Sequence, residues 1–232
     1  DFGLSERQLP YKLARSLIGN WKTNGIRPDS ALDAAVDEEE DLAARVYAQF
    51  EKEMRSRCTI DFDDMLLMAQ DLLNDHPDVL TACQDAYRYL MVDEYQDTNE
   101  IQHLLLRYVA GDRARVTVVG DPDQTIYEFR GARPDFILRR FSEEFESPLE
   151  QTLSYTFRYG HQVALLANHL ICHNTGRKDV LCHSHPTTPE TGITLHQQEN
   201  DSDLVLKLLQ PMDDEALANT AILFRVWSQS VP

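Results

Sequence analysis

A chain of 232 residues with 42% hydrophobic content and a formal charge of −17 is large enough for one sizeable domain or two small ones, which excludes disorder as its default state. The negative balance excludes a surface that is basic throughout, so any contact with nucleic acid has to be local. Cys58, Cys83, Cys172 and Cys182 form no CxxC pair, and no apolar run approaches the about 18 residues of a membrane span; together these exclude a disulfide-stapled secreted domain and predict a cytoplasmic protein.

The first 86 residues read as an all-helical block. From Ser5 to Ile18, the residues Leu9, Leu13, Leu17 and Ile18 fall at helical spacing, and the stretch from Gly25 to Pro28 ends the pattern. From Glu38 to Arg57, Leu42, Val46, Tyr47, Phe50 and Met54 form one stripe on a highly charged helix. Asp61 and Asp64 have the pattern of an N-cap with an acidic first turn, opening a helix through Leu66, Leu67, Leu72 and Leu73 that stops before Pro77.

The middle of the chain changes character. Residues 89–92 (YLMV) and 115–120 (RVTVVG) are short apolar runs without alternation, which predicts strands buried on both faces of a parallel sheet. Between them, Asp97 and Glu100 have capping-box spacing, Ile101, Leu104, Leu105 and Tyr108 share one helical face, and Gly111 stands at the C-cap position. A strand, a helix and a strand make one βαβ unit, whose two following loops lie together at the carboxyl edge of the sheet, where ligands bind in open α/β folds. After Pro148 the pattern predicts a strand at Gln151 to Leu153, a helix from His161 to His173, strands near Ile193 to His196 and Ala221 to Phe224, and a helix from Asp203 to Leu209.

The two loops of the βαβ unit begin DEYQD and GDPDQ. Asp93 and Glu94 follow an apolar strand directly, and two like charges buried there without a partner cost free energy that a divalent cation removes. Read with its neighbours, VDEYQDTN (92–99) followed by VVGDPDQTIYEFRGA (118–132) closely resembles motifs II and III of superfamily 1 DNA helicases of the UvrD, PcrA and Rep type. TIDFDDMLLMAQDLL (59–73) resembles the segment that precedes motif II, LSYTFRYG (153–160) stands in the place of motif IV, and AILFRVWSQS (221–230) resembles a strand of the second motor domain. The resemblance implies an α/β fold made of partial RecA-like, P-loop NTPase-type motor domains with parallel sheets, preceded by an all-helical subdomain. Its divisions are a helical accessory subdomain at 1–86, part of the first motor domain at 87–150 and part of the second at 151–232.

The same resemblance implies roles for single residues. Asp93 ligates Mg²⁺ as the Walker B carboxylate, Glu94 is the general base toward water, and Gln124 contacts the γ-phosphate of ATP, an amide being able both to donate and to accept. Arg158 is the arginine finger, while Tyr127, Phe129 and Arg130 line a path for single-stranded DNA with Phe129 stacking on a base. The expected activity is ATP-driven movement along single-stranded DNA in the 3′ to 5′ direction, with action at single/double-strand junctions. Three positions depart from the family pattern: Phe129 stands where Trp is usual, Glu128 replaces a small residue, and Thr156, Phe157 and Tyr159 surround Arg158 in place of the usual neighbours.

A phosphate loop of the form GxxxxGK[ST] is absent, since none of Lys12, Lys22, Lys52, Lys178 or Lys207 follows a glycine. Together with Asp1 at the start, this predicts a stretch cut from a longer motor and inactive toward ATP by itself. The rival reading is a non-catalytic module that keeps the fold and binds DNA or protein without turnover. Two further constellations carry less. His169, Cys172, His173, Cys182, His183 and His185 cluster in sequence without a common zinc spacing, and Asp61, Asp63 and Asp64, which would suit a two-metal nuclease, are accounted for by helix capping.

Overall fold

The computed structural model describes residues 9–128, 131–197 and 201–224. The described residues fall into two compact units, one running to Leu153 and including Ile171–Val180, the other made of Ser154–Leu170 and the residues from Leu181 onward. Among the described residues no helix is long and apolar enough to cross a membrane.

The first unit opens with helices. α1 (Tyr11–Thr23) starts after Pro10, whose missing N–H costs nothing at a helix start, and runs further than the expected end at Ile18; Ser5 to Gln8, where the expected helix opens, lie outside the described residues. α2 (Pro28–Ala34) has proline in its first turn. α3 (Glu38–Ser56) is capped by the Asp37 side chain, which accepts from the Glu40 N–H, and its first turn holds four acidic residues against the positive end of the helix dipole. Ala31, Ala43 and Ala44 allow these helices to approach closely around Trp21 and Tyr47, whose rings stack at 6.2 Å. The expected stripe on α3 is therefore only partly the buried face: Tyr47 is buried, Leu42 and Val46 flank it, and Phe50 is exposed.

α4 (Phe62–Asp75) has the predicted N-cap at Asp61, and the Asp64 side chain closes it into a capping box. The same two carboxylates, with Glu51 of α3, converge on Lys22 of α1, whose Nζ lies 2.8 Å from Glu51 and 2.8 Å from Asp61 and contacts Asp64 as well. Lys22 is 1% exposed. Burial alone lowers the pKa of an ammonium, and the three carboxylates outweigh that and raise it. α5 (Pro77–Ala86) then leads into the sheet.

β1 (Tyr89–Val92) and β2 (Arg115–Val118) pair in parallel, Tyr89 opposite Arg115 and Val92 opposite Val118, with α6 (Glu100–Ala110) between them. The βαβ unit forms as expected, and Gly111, at φ +51, caps α6. Two details differ. The capping box is Asn99 with Gln102 and not Asp97 with Glu100, because Tyr95–Asp97 form a 3₁₀ turn of their own before the helix starts. The strands are not buried on both faces: Tyr89 is 72% and Met91 82% exposed, while Leu90 and Val92 are half-buried. Burial on both sides requires a layer on each, and the described residues cover one face only. Beyond β2 come a 3₁₀ turn at Pro122–Gln124, a π-helical turn at Phe136–Arg140 and α7 (Phe141–Glu144).

The second unit contains β3 (Tyr155–Thr156) parallel to β4 (His183–Ser184), with α8 (His161–Ile171), α9 (Asp201–Leu209) and α10 (Asp214–Ala218). The strands expected at 151–153, 193–196 and 221–224 do not form. Leu153, Leu195 and Leu223 are 84%, 92% and 93% exposed, so these apolar positions have neither a surface to cover nor a neighbouring strand to pair with among the described residues.

Candidate functional site

The acidic doublet sits where β1 ends. Asp93 and Glu94 are both exposed, so the burial cost expected of them does not arise and their oxygens are open to a ligand. The Glu94 N–H donates to Asp93 Oδ1 at 2.9 Å. Glu94 itself adopts the left-handed conformation, φ 52 and ψ 41, which costs a non-glycine residue about 1–3 kcal/mol and persists only where the surroundings enforce it.

Those surroundings are well defined. The Tyr95 N–H donates to Val119 O at 2.9 Å, pinning the turn to the end of β2. The Tyr95 ring is wholly buried, its hydroxyl 2.6 Å from His103 Nδ1, and His103 Nε2 lies 2.9 Å from Glu144. Burial raises the Tyr95 phenol pKa, so the hydroxyl keeps its proton. Glu144 also receives Arg107 and Arg140; burial works against its ionisation, but the hydrogen bonds from His103 and Arg140 prevail and hold its carboxyl down to about 2. Arg140 is held between Glu100 and Glu144.

Gln96 connects the two loops. It is 1% exposed; its Nε2 donates to Glu94 Oε2 at 2.7 Å and its Oε1 accepts from the Asp121 N–H at 3.1 Å. Asp121 in turn accepts from the Asp123 N–H through Oδ1 and from Gln124 Nε2 through Oδ2, the latter at 2.7 Å. A continuous chain of hydrogen bonds thus runs from Glu94 through Gln96 and Asp121 to Gln124, whose side chain is exposed. Gly120 permits it: a Cβ there would lie 2.4 Å from Gln96 Oε1. Arg177, reaching in from the Ile171–Val180 segment of the same unit, grips the Asp123 carboxylate at 2.8 and 2.9 Å, beside a cavity of about 460 Å³ lined by Pro122, Thr125, Glu128 and Pro134.

Of the remaining predicted site residues, Tyr127 is 38% exposed, and Phe129 and Arg130 lie outside the described residues. Arg158, in the second unit, is exposed and makes no ion pair among the described residues, its backbone N–H donating to Thr156 Oγ1 at 3.3 Å. The sequence reading missed Gln96, His103, Glu144 and Arg177. Gln96 lay in plain view inside DEYQD, and a polar residue retained in a fully buried turn is the signal that would have singled it out.

The donor chemistry at the strand end is hard oxygen, from Asp93 and Glu94; in the turn that follows, the shielded Oδ1 of Asp97 has no hydrogen-bond partner among the described residues. Among the described residues no group of three or more His, Cys, Asp or Glu side chains is placed to hold a metal. That set fits a magnesium ion that arrives already coordinated by phosphate oxygens, and does not fit an ion caged by protein alone. Near the histidine cluster, Cys182 Sγ lies 3.5 Å from the Tyr159 hydroxyl and His185 Nδ1 2.8 Å from Thr187 Oγ1.

Comparison with known proteins adds a second line. The sequence model of the UvrD/REP helicase N-terminal domain matches residues 1–146. ATP-dependent DNA helicase Rep of Escherichia coli is 38% identical over 159 residues, 68% of this chain and 24% of that protein. ATP-dependent DNA helicase PcrA of Leuconostoc citreum is 29% identical over 99% of this chain and 31% of its own length, and DNA helicase II of Escherichia coli 31% identical over 98% of the chain and 32% of its own. The chain spans about a quarter to a third of the length of these relatives.

Proposed function

The chain belongs to the UvrD/REP helicase family, and on that membership we propose that it supplies the water-activating carboxylate and the nucleotide sensor of an ATP-driven DNA translocase. Residues 1–86 are its helical accessory subdomain, 87–150 part of a first RecA-like motor domain, and 151–232 part of a second. Glu94 is the general base, Asp93 the Walker B ligand of magnesium, Gln124 the γ-phosphate sensor and Arg158 the arginine finger; Tyr127, Phe129 and Arg130 bear on single-stranded DNA. Magnesium, when bound with the triphosphate, neutralises charge that develops during phosphoryl transfer.

The observation that carries this reading is the hydrogen-bond chain from Glu94 to Gln124 across the ends of two parallel strands. A solvated helix start needs no such link, whereas a base and a sensor that must act on one phosphate need a common frame. The 232 residues include no GxxxxGK[ST] loop, so the chain alone is expected to turn over no ATP.

The test uses the protein with its complete natural coding sequence: magnesium-dependent ATP turnover stimulated by single-stranded DNA, and displacement of a strand from a duplex with a 3′ tail in preference to a 5′ tail. Turnover indifferent to DNA, or preference for the 5′ tail, would refute the motor or its polarity respectively.

A further inference from the structure

We propose that Gln96 is a positioning residue that sets the direction of the Glu94 carboxylate relative to the GDPDQ loop. The inference rests on the reading of Glu94 as general base and adds to it a residue that touches neither nucleotide nor water. Gln96 is shielded from solvent while Glu94 is exposed, so the buried amide is the fixed member of the pair and the carboxylate the steered one. Its orientation is determined by its neighbours: a carboxylate at 2.7 Å requires the NH₂ end and the Asp121 N–H at 3.1 Å requires the oxygen, and only one placement of the amide satisfies both.

Three further features of the two loops point the same way. Glu94 has a left-handed backbone, and its carboxylate meets the amide of the residue two positions on. The Gln96 amide fills the space that any side chain at Gly120 would need. Asp121, the partner of the amide oxygen, holds Gln124 with its own carboxylate. A movement of the GDPDQ loop therefore pulls on the amide and redirects the base, which makes Gln96 the part through which the state of the sensor loop reaches Glu94.

Gln96→Glu and Gln96→Leu separate the two bonds. The glutamate has the same shape and still accepts from the Asp121 N–H, but it cannot donate to Glu94 and repels it; leucine loses both bonds. In the protein with its complete coding sequence, steady-state ATP hydrolysis with single-stranded DNA is measured for each, alone and combined with Glu94→Gln, alongside thermal unfolding. A lost hydrogen bond to a charged group predicts a fall in kcat of about 10- to 100-fold for Gln96→Glu, with KM for the magnesium nucleotide within about twofold. In the Glu94→Gln background the second substitution changes the residual rate by less than about twofold, because a residue that acts only through Glu94 has nothing left to act on.

Wild-type kcat in Gln96→Glu, or independent multiplication of the two losses, overturns the proposal while leaving Glu94 as base. Wild-type turnover in Glu94→Gln alone overturns both. Unfolding of Gln96→Leu does not rescue the idea, since Gln96→Glu keeps the bond that anchors the loop and its kcat decides the outcome.

Discussion

Tyr95 and His103 meet at 2.6 Å with both side chains wholly buried, so the residue next to the proposed base is tied to the helix that follows it. Tyr95→Phe removes one hydroxyl and leaves His103 Nδ1 shielded without that partner. Loss of about 1–3 kcal/mol is expected, read as a lower urea midpoint with unchanged slope.

Lys22→Met places an uncharged chain of similar length among Glu51, Asp61 and Asp64. Removing the cation at the centre of this cluster leaves like charges facing one another, and about 3–5 kcal/mol of stability should go with it. A stability change below about 1 kcal/mol in denaturant titration would mean that water reaches the carboxylates.

Acid should act through Glu144. Its carboxyl is held at about 2 in the fold against an ordinary 4.5. A depressed folded value means that the stabilisation is complete above the ordinary value and is lost as pH falls from about 4.5 toward about 2. Asp61, whose pKa is also lowered despite its burial, by Lys22 and the Asp64 N–H, gives a loss of the same sign. Glu144→Gln is expected to flatten the pH dependence of the melting temperature in that window relative to wild type; parallel curves would count against the assignment.

Gly120→Ala drives a methyl group to 2.4 Å from Gln96 Oε1 and 3.0 Å from the Tyr95 nitrogen. The buried amide has to move, and overpacking of this kind costs about 1–3 kcal/mol. Amide exchange at Asp121 should accelerate with it, since the acceptor of that N–H is displaced; unchanged protection at Asp121 would show that the amide had stayed in place.

Where the sequence is legible, local rules decide the structure. The capping of α4 by Asp61, the termination of α6 at Gly111 and the parallel βαβ unit depend on neighbouring residues or on short apolar runs, and each is visible in the sequence alone. The site's internal wiring is not local. Gln96 reaches Asp121 over 25 positions, Lys22 reaches Asp64 over 42 and Arg177 reaches Asp123 over 54, distances over which no periodicity carries information. His103 lies on the side of α6 away from Ile101, Leu104, Leu105 and Tyr108 and reads as a solvated polar position, yet its ring is wholly buried. β3 and β4 are two residues each, too short for a pattern, while the longer apolar runs near Leu195 and Leu223 stay exposed because no partner strand lies beside them among the described residues.

The most direct test of the central claim is ATP hydrolysis by Glu94→Gln in the protein with its complete coding sequence, measured together with nucleotide affinity. The amide keeps size and shape but cannot take a proton from water, so turnover should fall by about 100-fold or more while the nucleotide binds as before. Wild-type turnover, or a loss explained entirely by weaker binding, would show that the carboxylate at the end of β1 is not the base.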